Sequence, residues 1–148
     1  MSIHKVLLLL IAPLVLTGCS AAAPNEFATI VLPNETQIIA GVADSQSERQ
    51  QGLSGRESLS ENEGLLFIHE SKSIPSYWMK DMLITLDFIW LNEGIVVDLT
   101  ENVPPEDPPT TFYRPDSLVD QVLEVNAGFI EKHGLSVGDY LDIELPDE

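Results

Sequence analysis

Short apolar runs separated by polar turns fill most of the chain. β-Rich runs at 27–32 and 36–43, joined by Pro33-Asn34-Glu35, predict a first β-hairpin. Residues 83–91 are apolar on both faces, which is typical of a strand inside a two-layer core. Asn92-Glu93-Gly94 then predicts a turn into a second hairpin. Further strands are expected at 65–68, 77–79, 95–99, 121–125 and 140–145.

Two short helices interrupt the strands. Ser45 with Glu48 three residues later forms a capping-box pattern, and Gly52 is placed to end that helix. Residues 127–133 form the second predicted helix, with Asn126 as its N-cap and Gly134 at its C-terminal end. Many strands with two small helices favour a mostly β fold, either a β-sandwich or a barrel-like sheet. We expect a single globular domain over 27–148.

The N-terminus has the pattern of an export signal. Lys5 precedes an apolar run over 6–16 that is too short to span a membrane comfortably. Leu16-Thr17-Gly18-Cys19 follows and resembles the bacterial lipoprotein box, in which cleavage precedes a lipidated cysteine. This predicts a signal peptide over 1–18, lipidation of Cys19 and a tether over 19–26. An ordinary secretory signal with a chance cysteine, or an uncleaved anchor, is the alternative.

This interpretation of the N-terminus predicts the subcellular location of the protein. A lipidated protein would be held in the cell envelope by its acyl chains and would face the periplasm. By resemblance to Gram-negative sorting rules, Ser20 in place of Asp after the cysteine favours the outer over the inner membrane. The membrane is therefore the first expected partner.

Composition narrows the classes of function. The chain has 148 residues, of which 24 are Asp or Glu and 7 are Lys or Arg, so that the formal net charge is −17. Such a charge argues against nucleic-acid binding, which needs a cationic surface. A hydrophobic content of 44% indicates a globular protein. The single cysteine excludes a disulfide framework and a multi-cysteine zinc site.

Several blocks of the sequence resemble one known family in order and spacing. They are 49–53 (RQQGL), 55–59 (GRESL), 63–67 (EGLLF), 77–81 (YWMKD), 86–89 (LDFI), 122–128 (VLEVNAG) and 137–139 (VGD), with Gly134 between the last two. Together they resemble the domain of unknown function numbered 192, DUF192, over roughly 38–145. The resemblance implies a compact β-rich fold with short helices and implies no reaction. This chain differs at Ser54 and Leu65, where that family usually has Met, and at Asp81-Met82, where it usually has Asn-Thr.

Polar residues inside apolar runs are the candidates for chemistry. Asp87 is the lone charge in 83–91, and a buried carboxylate needs a cation or several backbone amides. Lys80 and Arg56 are the leading cations, with Asp87 or Asp81 the expected partner of Lys80. One hypothesis is a buried ion pair that fixes strand register, and this is favoured. The other is a ligand pocket in which Lys80 or Arg56 meets an anionic group beside Trp78.

Glu124 has no simple structural explanation. It shares one strand face with Asn126, while Leu123 and Val125 point to the other face. Asn126 is explained as a helix cap, whereas Glu124 is left as a candidate ligand-binding residue.

No recognised catalytic motif accompanies these residues. His69 and His133 have no partner at metal-ligand spacing, and the sequence lacks a nucleophile elbow, a phosphate loop and a calcium loop. We therefore expect no metal, no cofactor and no identified catalytic residue. Two classes of function remain. The favoured one is a non-catalytic envelope module that binds a small ligand or a protein, and the alternative is an enzyme of unrecognised class using Asp81, Asp87 or Glu124 with Lys80.

Overall fold

A computed structural model describes residues 26–146, which fold into seven β-strands and two short helices. The predicted signal peptide, Cys19 and nearly all of the tether lie outside the described residues. In chain order the elements are β1 (Phe27–Val31), β2 (Gln37–Ala43), α1 (Gln46–Gln51), β3 (Glu63–Ser73), β4 (Leu86–Asn92), β5 (Ile95–Val103), β6 (Val119–Asn126), α2 (Phe129–His133) and β7 (Asp142–Glu144).

All seven strands belong to one curled sheet in the order β5-β4-β6-β3-β2-β1-β7. Neighbours are antiparallel except for β2 and β3, which are parallel and are connected through α1. The curl brings the two edge strands together, since Ile95 pairs with Tyr140 and the Leu141 amide donates to the Gly94 carbonyl at 2.8 Å. The predicted mostly β, barrel-like fold is confirmed.

Turn chemistry sets the two predicted hairpins, and both are confirmed. Between β4 and β5, Glu93 and Gly94 have φ of 53° and 77°, the two positive values that a tight hairpin turn requires. A side chain at Gly94 would also place its Cβ 2.8 Å from the Leu141 carbonyl oxygen. Glycine is therefore needed at this position both for the turn and for closure of the curled sheet.

The predicted capping box starts α1. The Ser45 hydroxyl accepts from the Glu48 amide at 3.3 Å, while the Glu48 carboxylate accepts from the Ser45 amide at 3.1 Å. Gly52 ends the helix as expected. A six-residue helix has little stability of its own, so α1 depends on its caps and on its contacts with the sheet.

The sheet buries side chains on both of its faces. The inner core receives residues from every part of the curl, including Ile30, Ile38, Leu66 and Leu123, and α2 closes it with Phe129 and Ile130. The outer core covers the opposite face of β3, β4 and β6. Its members are Ala43, Leu53, Leu65, Phe67, Met79, Met82, Leu86, Phe88, Trp90, Val103, Val119 and Val122. The alternation expected for Leu123 and Val125 is confirmed, because both lie in the inner core.

Two local predictions were wrong. Tyr77 to Met79 do not form a strand; Tyr77 makes a single bridge to Tyr113, within an extended segment that we call the rim loop, residues 75–82. Asn126 does not cap α2. Its amide instead donates to the carbonyls of Leu59 and Ser60 at 3.2 and 3.0 Å, which ties the loop before β3 to β6.

Candidate functional site

A cavity of about 240 Å³ lies on the outer face of the sheet, between α1, the rim loop and strands β3 and β6. Its wall combines polar side chains of α1 with aromatic and methionine side chains of the rim loop. The lining residues are Gln46, Arg49, Gln50, Gln51, Gly52, Leu53, Ser54, Phe67, His69, Pro75, Ser76, Tyr77, Trp78, Met79, Met82 and Glu124.

Glu124 is the acidic side chain of this cavity. Strand pairing places it between Leu65 of β3 and Phe88 of β4, in the middle of the outer face, and it is 5% exposed. Within residues 26–146, no hydrogen-bond donor or cation contacts its carboxyl group, which faces the cavity. Burial raises the pKa of Glu124 to about 8. At neutral pH the group is therefore mainly a neutral carboxylic acid.

Tyr77 and His69 form a second polar group in the wall. The Tyr77 hydroxyl lies 3.1 Å from His69 Nε2, and its ring packs edge-on against Phe67 and Trp90 at centroid distances of 5.1 and 5.4 Å. Burial, with the Glu124 charge as a smaller cause, raises the pKa of Tyr77. Burial and the positive charge of Arg49 lower the pKa of His69. Both side chains are thus neutral at physiological pH, with the phenol able to donate to the imidazole.

Arg49 supplies the positive charge of the wall. It lies in the last turn of α1, where its Nη1 donates to the Ile68 carbonyl at 2.9 Å and also contacts the Asp44 carbonyl. These bonds fasten α1 to β3. No ion pair joins Arg49 to Glu124 in the described part of the chain, so Arg49 does not directly offset the burial of the Glu124 carboxyl group.

Aromatic and sulfur-containing side chains complete the cavity. Phe67, Met79 and Met82 are buried in its wall, whereas Trp78 is 49% exposed and packs edge-on against Phe112 at 6.0 Å. Trp78 therefore offers both an apolar surface to a ligand and an indole whose fluorescence would respond to one.

The structure separates the residues that the sequence singled out. Trp78 and Glu124 line the cavity. Lys80 and Asp81 lie on the rim loop with side chains 57% and 61% exposed and 3.9 Å apart. Arg56 pairs with Glu63 at 2.5 Å on the surface near the start of β3.

Asp87 lies on the other side of the sheet, so its expected ion pair with Lys80 was wrong, whereas the alternative partner, Asp81, lies within ion-pair distance of Lys80. Its side chain is fully buried against the inner core, where its two oxygens accept from the amides of Asn102 at 2.8 Å and Ile130 at 3.0 Å. Strand alternation explains the difference, because Asp87 shares a face with Ile89 and the rim loop covers the opposite face. The other expectation for Asp87, several backbone amides, is confirmed.

Sequence reasoning missed Arg49, His69 and Tyr77 as members of the site. Arg49 and Tyr77 both open blocks that carry the family resemblance, which was a usable signal. His69 was set aside because no second histidine stands at metal-ligand spacing. Its partner is instead a tyrosine eight residues away, brought back across β3 by the rim loop.

The described residues contain no arrangement suited to a metal ion or a membrane span. Within 26–146, no group of three or more His, Cys, Asp or Glu side chains is placed to hold a metal. No helix of that region has the length and apolar character to cross a bilayer.

Comparison with known protein families identifies the family of this chain. The model of the DUF192 family, described as an uncharacterized ACR, matches residues 29–143. The chain belongs to the DUF192 family. The comparison with curated proteins finds no match for it.

Solved structures share the DUF192 fold of this chain. A protein from Sinorhizobium meliloti 1021, provisionally described as a transcription regulator, is 25% identical with a TM-score of 0.74, over 84% of this chain and 97% of that one. A protein of unknown function from Novosphingobium aromaticivorans DSM 12444 is 24% identical with a TM-score of 0.69, over 78% of this chain and 83% of that one.

Four of the blocks by which this DUF192 domain was recognised meet at the cavity. Block 49–53 supplies the α1 wall, block 63–67 supplies Phe67, block 77–81 supplies the rim-loop residues, and block 122–128 supplies Glu124. Two departures from the usual family residues, Ser54 and Met82, also line it. The rim loop tolerates Asp81 in place of Asn because this residue has φ of 57°, a left-handed conformation that both residue types adopt more readily than most.

Proposed function

We propose that this DUF192 protein is a lipid-anchored module of the cell envelope that binds a small ligand in the cavity above Glu124. The observation that carries the binding role is the Glu124 carboxyl group, which is 5% exposed, faces an open cavity and has no hydrogen-bond partner among residues 26–146. Burying a polar group without a hydrogen-bond partner is unfavourable by about 1–3 kcal/mol, so folded proteins rarely leave one unpaired. A ligand that contacts Glu124 would remove this penalty.

Nothing in the fold requires a carboxyl group at position 124. Its neighbours on the same face, Leu65, Phe88 and Val122, are apolar and buried, and an apolar side chain would continue their packing. By contrast, Asp87 is satisfied by two backbone amides. A group that weakens packing without a structural role is a candidate for function.

The geometry favours binding over catalysis. The enzyme alternative needed at least two of Lys80, Asp81, Asp87 and Glu124 in one cleft, and Glu124 alone lines the cavity. The neutral His69 and Tyr77 leave Glu124 as the group whose protonation changes near neutral pH. A protein ligand or envelope partner remains an alternative occupant of the exposed surface around Trp78.

The Sinorhizobium protein is described as a transcription regulator, but we do not propose that this chain binds DNA. A net charge of −17 repels phosphates, and the cations Arg49 and Arg56 are already engaged with carbonyl groups and with Glu63, respectively. Lipid anchorage through Cys19 would also keep the domain outside the cytoplasm.

Ligand binding can be tested by tryptophan fluorescence of the full-length protein in mild detergent against a small-molecule library. The comparison uses wild type, Glu124→Gln and the control Glu131→Gln, which makes the same substitution at an exposed residue of α2. A third variant, Ser54→Phe, keeps the carboxyl group and narrows the cavity. We expect the screen to find ligands that bind Glu124→Gln and Ser54→Phe at least tenfold more weakly than wild type. The same ligands should bind Glu131→Gln as tightly as wild type. Ligands that bind all four proteins equally would contradict the proposal.

A further inference from the structure

The chemistry of the cavity wall also indicates which class of ligand the cavity would bind. Among residues 26–146 no cation pairs with the Glu124 carboxyl group, and Phe67, Tyr77 and Trp78 line the same cavity with aromatic rings. We propose that the ligand is a small monocation with a primary or secondary ammonium group that binds against the Glu124 carboxylate. This inference rests on the proposed function and names the class of ligand for the same site.

The wall is suited to a cation next to apolar carbon. Aromatic faces attract ammonium groups through their quadrupole, and this attraction grows when the site is shielded from water. Met79 and Met82 add polarizable, adaptable surface for the hydrocarbon part of the ligand. The neutral amides of Gln50 and Gln51 can accept the remaining ammonium hydrogens at the α1 side of the cavity.

Arg49 limits the positive charge that a ligand in this cavity can carry. Its guanidinium is a fixed positive charge in the same wall, which disfavours a ligand with two positive charges. An anion is the other occupant that Arg49 could suggest. However, Nη1 of Arg49 is engaged with two backbone carbonyls, and a chain of net charge −17 repels anions at long range and attracts cations. A single positive charge fits both constraints.

Binding of a cation is coupled to proton release. The titratable or charged groups facing Glu124 from the surrounding elements are Arg49 of α1, His69 of β3 and Tyr77 of the rim loop. His69 and Tyr77 are neutral at pH 7, so Glu124 is the group that ionises when the ammonium arrives. With a pKa of about 8, Glu124 would release about 0.9 proton per ligand at pH 7.

The probes are amines paired with alcohols of the same shape: benzylamine with benzyl alcohol, cyclohexylamine with cyclohexanol, and butylamine with butanol. Phenylacetate serves as the anionic probe. Isothermal titration of the full-length protein at pH 7, in phosphate and in HEPES, gives affinity and proton release together. The variants are Glu124→Gln, with Glu131→Gln as the control.

We expect the amines to bind at least tenfold more tightly than their paired alcohols and to release close to one proton. Their affinity should rise roughly 50-fold from pH 6 to pH 8. Glu124→Gln should abolish the preference for amines, the proton release and the pH dependence, and Glu131→Gln should keep all three.

Two results would overturn the inference. Alcohols or phenylacetate binding as well as the amines, without proton release, would leave the cavity as a ligand site of another class. Absence of amine binding would also overturn it, and the library screen would then decide separately whether the cavity binds any ligand.

Discussion

Asp87 and Glu124 are the two buried acidic side chains of residues 26–146, and they differ in their hydrogen-bond partners. Asp87 links the bend in β5 to the start of α2 through two backbone amides. Glu124 has no such donors and faces a cavity. Asp87 therefore has a structural role in joining two backbone segments, whereas Glu124 is explained by the ligand that we propose it binds.

Replacing Asp87 with Asn tests the structural role. One oxygen would become an NH₂ group facing a backbone N–H, which leaves a buried amide without an acceptor. We expect a loss of about 2–4 kcal/mol in the free energy of unfolding, measured by urea denaturation. The control is Asp81→Asn, an exposed residue at positive φ, which should change stability by less than ~0.5 kcal/mol. Equal effects of the two changes would contradict this account of Asp87.

Glu124 predicts an unusual dependence of stability on pH. Because its pKa is about 8 in the folded protein and near its usual value when unfolded, the folded state binds more protons between about pH 4.5 and 8. Wild-type stability should therefore fall relative to Glu124→Gln as pH rises through that window, by at most ~1.4 kcal/mol per pH unit. The measurement is urea denaturation of both proteins from pH 5 to 8. A difference that stays constant with pH would exclude a buried, desolvated carboxyl.

The sequence singled out Glu124 because it had no structural explanation, and Trp78 because it stands two residues from the candidate cation Lys80. It could not show that Asp87 and Glu124 lie on opposite faces of the sheet. Both residues occupy strands buried on both sides, so hydrophobic alternation does not distinguish an inner from an outer face there. The assignment depends on which loops cover each face, which is a property of the tertiary fold.

At the level of elements, hairpins and helix ends were the features most readily predicted. Capping residues and positive-φ turns act locally, so the Ser45–Glu48 box and the turn at Gly94 could be found from sequence. The parallel pairing of β2 with β3 and the meeting of Ile95 with Tyr140 join distant segments and have no local signature. Asn126 was assigned incorrectly for a related reason, because its partners at Leu59 and Ser60 are remote in sequence.

Gly94→Ala tests how much the fold depends on closure of the curled sheet. The new Cβ would meet both an unfavourable φ of 77° and the Leu141 carbonyl at 2.8 Å. Gly55→Ala is a matched control with the same φ of 77° and open space around the Cβ. We expect Gly55→Ala to cost about 1 kcal/mol and Gly94→Ala to cost at least ~1–2 kcal/mol more, by thermal or urea unfolding. Equal costs would mean that contact between the sheet edges is not important for stability.

For the whole molecule, the proposed anchor determines where the cavity operates. A protein of net charge −17 has little attraction for anionic lipid, so under the proposal acyl chains on Cys19 would supply the membrane affinity. We expect Cys19→Ala to move the protein from the membrane fraction to the soluble fraction after cell lysis. The control is Cys19→Ala combined with a foreign lipoprotein signal, which should return it to the membrane. A Cys19→Ala protein that still sediments with membranes in detergent-free buffer would contradict lipid anchorage.

The proposed binding site depends on Glu124 being a desolvated carboxyl group without a partner among residues 26–146. The most direct measurement is an NMR titration of the ¹³C-labelled Glu124 carboxyl in the full-length protein, assigned by comparison with Glu124→Gln. We expect this titration to give a pKa of about 8, well above the usual value for an exposed glutamate. A pKa near 4.5 would contradict it, because the group would then be either solvated or paired in the folded protein.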